Sequence, residues 1–256
     1  MTVIPDKGKM YFFERNVDTP GITRPSSTYD LGLYAELGVS DRAVLVVNMI
    51  ANLTYKDGNN LSWTGVEKTN FTADLISKLK DVWQEKHTLR TMTPTVLVYK
   101  TISVIFDFQF TEGLGKTAHS HWNIDITKIP PDDFVTSTTD DGNFAGILNG
   151  RVALDSNDLK QVDKGASEKQ YPAAHEFGHM IGYRDEYLNA KGAAEDNASW
   201  TTDLVSIMNR GSTVQARHYI WFADWCNRQC ATAAALSRQP IDWKVDGTVN
   251  LATALV

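Results

Sequence analysis

The sequence of 256 residues predicts an α+β fold with two lobes. Runs of β-branched and aromatic residues before residue 172 are typical of strands, and helical spacing of apolar residues follows that point. No internal repeat or low-complexity linker divides the chain, which favours a single domain over residues 1–256. We expect an N-terminal extension or arm over residues 1–40. Residues 41–182 would form a mixed-sheet lobe that includes the helix after Pro172. Residues 183–256 would form a largely irregular lobe that ends in a helix.

The first half of the chain predicts a strand followed by a helix. Residues 1–40 show no strong period and carry turn-forming proline and glycine, so irregular structure is expected there. Residues 42–53 form a β-branched run that fits a buried strand. Apolar side chains at helical spacing predict an amphipathic helix over 71–87, with Asn70 or Thr72 as its N-cap.

The remaining strands and helices follow from the same two periods. β-Branched runs and alternation predict strands at residues 95–110, 122–129 and 151–155. Polar stretches between these strands predict loops. After Pro172 we expect a helix, an irregular segment over 189–212 and a last helix over 214–236.

The charge balance argues against two classes of partner. The chain has 25 basic and 31 acidic residues, a net charge of −6, and the acidic residues are scattered. No basic face is available for nucleic acid or an anionic lipid surface, so neither partner is expected. The N-terminal segment has no apolar stretch of signal-peptide length, and nothing approaches the ~18 apolar residues of a membrane helix. We expect a cytoplasmic protein or one exported by a route other than Sec.

The segment AAHEFGHMIGYRDEY has the spacing of a metal site. On a helix, His175 and His179 lie four positions apart and face the same side, close enough to share one metal ion. Glu176 would project beside the metal, where it can accept a proton from water instead of acting as a ligand. Gly182 allows the backbone to leave the helix and bring Asp185 round as a third ligand. This extended spacing arises by chance in roughly 1 of 30,000 shuffled sequences of the same composition.

The same residues resemble the HExxHxxGxx(H/D) signature of the metzincin zinc peptidases. The resemblance implies a two-lobed metzincin-like catalytic domain with Glu176 as general base and one catalytic Zn²⁺. The zinc ligands that it implies are His175, His179 and Asp185. Most members have histidine as the third ligand, and an aspartate in this position is similar to the snapalysin-like variant.

A second resemblance involves Ser206-Ile207-Met208. This segment resembles the metzincin Met-turn, which implies that Met208 lies under the zinc site. Some families use a tyrosine just after this methionine to stabilise the oxyanion, and here Asn209 follows instead. Tyr187 and Tyr219 are the weaker candidates for that role.

Two alternatives concern the ligand set. Glu186 directly follows Asp185, so either carboxylate could be the third ligand. If the zinc were structural, a fourth protein ligand would close the site, for example His218 or Glu186. Calcium is compatible with two acidic loop fragments, residues 140–143 and 155–158, but neither has the full alternating ligand series, so no calcium ion is predicted.

The resemblance also implies where a substrate lies. In metzincins the substrate usually adds as an extra strand along an edge strand that precedes the motif helix. Val152-Ala153-Leu154 is the candidate edge, since strand addition uses main-chain hydrogen bonds. Near the C-terminus, Cys226 and Cys230 fit either buried thiols or a local disulfide.

The predicted function is that of a zinc-dependent endopeptidase, which hydrolyses a protein or peptide substrate with metal-activated water and a glutamate base. Three alternatives stay open. The first is a peptidoglycan-directed metallopeptidase, and the second is an exported bacterial effector toxin, controlled by an inhibitor or immunity partner. The third is a non-catalytic, zinc-stabilised binding module, in which metal removal would unfold the chain.

Overall fold

The computed structural model describes residues 7–17, 29–36, 42–58, 60–91, 101–113, 120–140, 150–188, 198–237 and 243–245. These residues form a mixed nine-stranded sheet, a two-stranded sheet and three α-helices, which confirms the α+β class. The strands of the large sheet are β1 (Lys7–Val17), β2 (Tyr29–Glu36), β3 (Arg42–Lys56), β4 (Thr88–Thr91), β5 (Thr101–Glu112), β6 (Trp122–Thr127), β7 (Thr138–Asp140), β8 (Gly150–Asp155) and β11 (Trp243–Val245). The small sheet contains β9 (Val162–Gly165) and β10 (Glu168–Gln170), and the helices are α1 (Gly65–Trp83), α2 (Pro172–Met180) and α3 (Ile220–Ser237).

The long strand β3 organises the large sheet. Its residues 42–53 pair in parallel with β5 along one edge. Along the other edge, β2 pairs antiparallel with residues 43–48, and β6 pairs in parallel with residues 51–56. Most of β3 is buried, as expected for a parallel strand that is covered on both faces and has a continuous apolar sequence. The strand predicted over 42–53 is therefore confirmed.

Residues 1–40 differ from their prediction. The described parts of this segment are strands, because β2 pairs with β3 and β1 pairs with β2. Tyr29, Leu31 and Leu33 alternate along β2 and are buried in the main core. The expectation of an irregular arm is therefore wrong for these residues. These strands are stabilised by pairing with each other and with β3, and the periodicity of residues 1–40 alone does not reveal that pairing.

Helix α1 begins earlier than predicted. Thr64 is the N-cap, and it forms a capping box with Glu67: the Glu67 amide donates to Thr64 Oγ1 at 3.3 Å, and the Thr64 amide donates to Glu67 Oε2 at 2.8 Å. The predicted caps Asn70 and Thr72 are therefore wrong, since a complete capping box lies about two turns upstream. The helix ends at Trp83, which is fully buried.

The strand order changes the predicted substrate edge. β8 pairs in parallel with β6 on one side, and the three-residue strand β7 pairs antiparallel with β8 on the other. Thr139 of β7 lies opposite Val152. Val152-Ala153-Leu154 is therefore not an edge, and β7 is the outermost strand here among the residues that the structure describes.

Two α-helices lie after residue 171, as predicted, and an unpredicted strand, β11, follows them. α2 begins at Pro172, and α3 follows a 3-10 turn over Ala216–Tyr219. β11 then pairs with β4 on the far edge of the large sheet. Cys226 is buried, and the side chain of Cys230 lies outside the described part of the chain, so the choice between buried thiols and a local disulfide stays open. No helix in the described ranges is long and apolar enough to cross a membrane.

Candidate metal centre

Helix α2 is held inside the protein by aromatic packing. Its residues are buried apart from the half-buried His179. Trp83, at the end of α1, donates from Nε1 to the carbonyl of Ala174 at 2.8 Å, and its ring packs edge-on against Phe177 with 5.6 Å between centroids. These contacts fix the rotation of α2, so the histidine face has one orientation.

The helix ends in a Schellman motif. The Tyr183 amide donates to the carbonyl of Gly178 at 3.0 Å, and the Gly182 amide donates to that of His179 at 2.9 Å. Gly182 has a φ of +100°, in the left-handed region that favours glycine. The predicted exit from the helix at Gly182 is confirmed, and the chain turns back along the histidine face to Asp185.

Three potential ligand atoms converge at this turn. Asp185 Oδ1 lies 3.2 Å from His175 Nε2 and 3.3 Å from His179 Nε2. Among the described residues this is the group of three side chains whose ligand atoms all lie within 4.8 Å of one another. The structure thus brings together the three side chains that the sequence predicted as ligands.

The hydrogen bonds of the two rings determine which nitrogens face the centre. His175 Nδ1 lies 2.7 Å from the carbonyl oxygen of Ile207, and His179 Nδ1 lies 2.8 Å from that of Tyr183. A carbonyl oxygen only accepts, so each Nδ1 must donate, and each neutral ring presents the lone pair of Nε2. Donation from Nδ1 to a carbonyl is the usual arrangement of metal-ligating histidine.

This arrangement fits a bound cation. Asp185 Oδ1 is buried and has no hydrogen-bond partner among the described residues. Two imidazole lone pairs and a carboxylate oxygen at 3.2–3.3 Å repel one another unless positive charge lies between them. Two imidazole nitrogens and one carboxylate oxygen are a common donor set for zinc.

Without a metal, protons supply this positive charge. Burial alone would lower the pKa of His179, but the contact with Asp185 and the charges of Asp185 and Glu176 raise it to about 9. Burial would raise the pKa of Asp185, but the contacts with both histidines lower it well below its usual range. The centre therefore attracts a cation or a proton at neutral pH.

Glu176 lies beside the three converging side chains without joining them. It is buried, and its Oε2 accepts a hydrogen bond from Thr139 Oγ1 of β7 at 2.7 Å. Glu176 and His175 both line a cavity of about 310 Å³. A carboxylate in this position can accept a proton from a water molecule in the cavity.

Glu186, the alternative third ligand, lies outside the group of converging side chains. Its carboxylate accepts hydrogen bonds from Arg217 Nε at 2.7 Å, from Arg217 Nη2 at 2.6 Å and from Ser206 Oγ at 2.6 Å. Burial would raise the pKa of Glu186, but these Arg217 contacts and that of His218 lower it to about 2. The carboxylate is therefore ionised and fully occupied.

His218 and Tyr219 also lie away from the centre, so their predicted roles are wrong. His218 Nδ1 accepts from the Gln215 amide at 3.1 Å, and Nε2 lies 3.3 Å from Glu186 Oε1. Tyr219 is buried and donates its hydroxyl proton to the carbonyl of Trp83. Neither side chain is able to contact a ligand at the centre without leaving the core.

Tyr187, the other tyrosine considered, lies at the centre. Its hydroxyl donates to Asp185 Oδ2 at 2.9 Å, and its ring lies beside that of His175 with 6.4 Å between centroids. It also lines the cavity. The Tyr187 hydroxyl orients the carboxylate of Asp185, so that Oδ1 rather than Oδ2 faces the two histidines.

Met208 is fully buried and lies under α2. A Cβ atom at Gly178 would be 2.2 Å from Met208 Sδ and 3.1 Å from the Trp83 ring. The preceding residue, Ile207, supplies the carbonyl that orients His175. The segment therefore supports the helix from below and holds one histidine ring.

Several residues of the site were not predicted from the sequence. Gln170 donates from Nε2 to the carbonyl oxygens of Ile207 at 2.8 Å and Asn209 at 3.0 Å, and it fixes that loop. Thr139 and Arg210 also face the site, the latter from the cavity wall. These residues come from distant segments, and none belongs to a local spacing pattern that could have revealed it.

The acidic fragment that resembles a calcium loop forms turns. Asp155 Oδ1 accepts from the Asn157 amide at 2.6 Å, and Asp158 Oδ2 accepts from the Asp155 amide at 2.7 Å. Residues 141–143 of the other fragment lie outside the described residues.

The chain was compared with family models, with curated proteins and with solved structures, and it matches none of them.

Proposed function

We propose that this protein is a zinc-dependent endopeptidase. His175, His179 and Asp185 are its metal ligands, and Glu176 is its general base. The observation that carries the proposal is the convergence of two Nε2 atoms on the buried Asp185 Oδ1, at 3.2 and 3.3 Å. Both Nδ1 atoms donate to backbone carbonyls, which leaves the Nε2 lone pairs for a metal.

A catalytic site is favoured over a structural one by the number of ligands. Structural zinc sites have four protein ligands, whereas catalytic sites have three. Within the described ranges, the group contains three side chains, and the candidates for a fourth are occupied by other contacts. The adjacent cavity of about 310 Å³ is large enough for part of a substrate.

Each part of the site would have a distinct role in hydrolysis. Bound zinc would supply a Lewis acid that polarises a carbonyl and lowers the pKa of water. Glu176 would accept the proton from water and transfer it to the leaving amine. Thr139 holds Glu176 Oε2 at 2.7 Å, so the carboxylate is already oriented towards the cavity.

The metzincin-like fold is part of this proposal. β7 is the outer described strand of the sheet, and it contacts Glu176 through Thr139. If the substrate adds to an edge strand, as the resemblance implies, β7 takes the role first expected of Val152-Ala153-Leu154. The position of Met208 under α2 also agrees with a Met-turn.

Hydrolysis of peptides by the zinc-loaded protein tests this function. We expect wild type to cleave a denatured protein such as casein or members of a peptide library, and Glu176→Gln to retain zinc but lose at least about 100-fold in rate. Glu168→Gln, on the nearby strand β10, is the matched control and should keep full activity. Equal activity of Glu176→Gln and wild type would contradict the proposed role of Glu176.

A further inference from the structure

The cavity beside the metal centre has an unusual charge distribution. Its wall includes two permanent cations, Lys164 and Arg210, and one acidic side chain, Glu176. Because the chain as a whole is acidic, a cavity with excess positive charge is not a consequence of overall composition. The charge therefore requires a local explanation.

Arg210 lacks a charge partner in the described part of the chain. No ion pair or hydrogen bond joins the half-buried side chain of Arg210 to another described residue. Arg217 shows the contrast, since it forms short contacts with both Glu186 and Asp203. A half-buried guanidinium without an acceptor is costly, and its planar donors match a carboxylate in a two-point geometry.

The backbone near Arg210 is held firmly. Asn209 Nδ2 donates to the carbonyl of Glu186 at 2.8 Å, and the Gly211 amide donates to that of Ser206 at 3.0 Å. A Cβ atom at Gly211 would lie 2.1 Å from the carbonyl oxygen of Val205, so the turn is tightly packed. Arg210 thus projects from a rigid turn that also orients His175 through Ile207.

Lys164 reaches the same wall from the β9–β10 hairpin. A Cβ atom at Gly165, the next residue, would lie 3.9 Å from Arg210 Nη1, so the hairpin and the turn meet. The ammonium of Lys164 is 5.7 Å from the centroid of the exposed Phe134 ring. Two cations on adjoining segments repel each other, and a bound anion would relieve that repulsion.

We propose that Arg210 and Lys164 form a recognition pocket for a carboxylate of the substrate. This inference rests on the proposed peptidase function, and it names the substrate class: peptides with an acidic group close to the cleaved bond. Arg210 makes the two-point contact, and Lys164 adds charge at the rim. The carboxylate belongs either to an Asp or Glu side chain or to a free C-terminus.

Binding to an inactive protein tests the pocket separately from catalysis. In the Glu176→Gln background, we would measure the binding of four peptides. Two sequences differ only by Glu or Gln at one position, and each is made with a free and with an amidated C-terminus. We expect the peptide with more carboxylates to bind about tenfold more tightly, and Arg210→Gln to abolish that difference. Lys164→Gln should reduce the difference, and Lys86→Gln, on an exposed lysine beyond α1, should leave it unchanged.

The possible outcomes distinguish a failure of the carboxylate-pocket proposal from a failure of the peptidase proposal. A preference for the Glu side chain or for the free C-terminus supports the pocket and identifies the source of the carboxylate. Equal binding of all four peptides, or a preference that survives Arg210→Gln with zinc content and melting temperature unchanged, would overturn it. Selective binding without any hydrolysis by wild type would instead refute the peptidase function and leave the pocket standing.

Discussion

The sulfur of Met208 packs directly against the backbone of Gly178, one residue before the second histidine of the site. A Cβ atom at Gly178 would lie 2.2 Å from Met208 Sδ. We therefore expect Gly178→Ala to lower the free energy of unfolding by about 1–3 kcal/mol through overpacking, measured by urea denaturation. The double variant Gly178→Ala/Met208→Ala should lose less than the sum of the two single variants, because the smaller side chain removes the clash. Strict additivity would contradict this contact.

Adjacent carboxylates should have separable roles. Asp185→Asn should lower zinc affinity by about 100-fold, because a proposed ligand is lost. Glu186→Gln should lower the free energy of unfolding by about 2–4 kcal/mol, because buried Arg217 loses a charged partner. Zinc titration and denaturation of both variants check this, and the reverse pattern would make Glu186 the ligand.

Thr139 is expected to orient the carboxylate of Glu176, the proposed general base. Thr139→Val removes the 2.7 Å hydrogen bond to Glu176 Oε2 and keeps the shape of the side chain. We expect kcat to fall by about 3–10-fold with zinc affinity unchanged, since one neutral hydrogen bond is lost. Thr138→Val, at the exposed neighbouring position, is the matched control. Equal kcat values for both variants would exclude an orienting role.

Asp158 gives the protein a specific dependence of stability on pH. Burial raises its pKa from 3.8 to about 7, although the hydrogen bond from the Asp155 amide opposes the shift. Between these two values, the unfolded chain loses the proton while the folded protein keeps it. Stability should therefore fall as the pH rises through this window, by up to ~1.4 kcal/mol per pH unit.

Asp158→Asn tests this dependence in the metal-free protein. The amide resembles the neutral acid, so the variant should gain stability relative to wild type as the pH rises from 5 to 8. Melting temperatures across this range measure the gain, with the exposed Asp132→Asn as control. Parallel curves for Asp158→Asn and wild type would show that Asp158 is ionised throughout.

The local part of the site could be predicted from the sequence. The spacing of His175 and His179 on one helix, and the exit at Gly182, depend on residues within one segment, and helical geometry places them. Asp185 follows from the same turn. The positions of these four residues relative to one another depend little on distant parts of the chain.

The rest of the site depends on contacts between distant segments. Thr139 reaches Glu176 only because β7 pairs with β8, and Ile207 reaches His175 only through the turn before Met208. The strands within residues 1–40 likewise depend on pairing with β3. Such pairing is set by the assembled sheet and core, and a periodic pattern in one segment does not encode it.

Zinc analysis of the purified protein, combined with X-ray absorption at the zinc edge, tests the central proposal most directly. We expect about one zinc per chain, bound by nitrogen and oxygen with the signature of two imidazoles, and we expect His179→Ala to lose it while Glu176→Gln retains it. A protein that binds no zinc at micromolar concentration, or a zinc ion with sulfur ligands, would contradict the assignment of His175, His179 and Asp185.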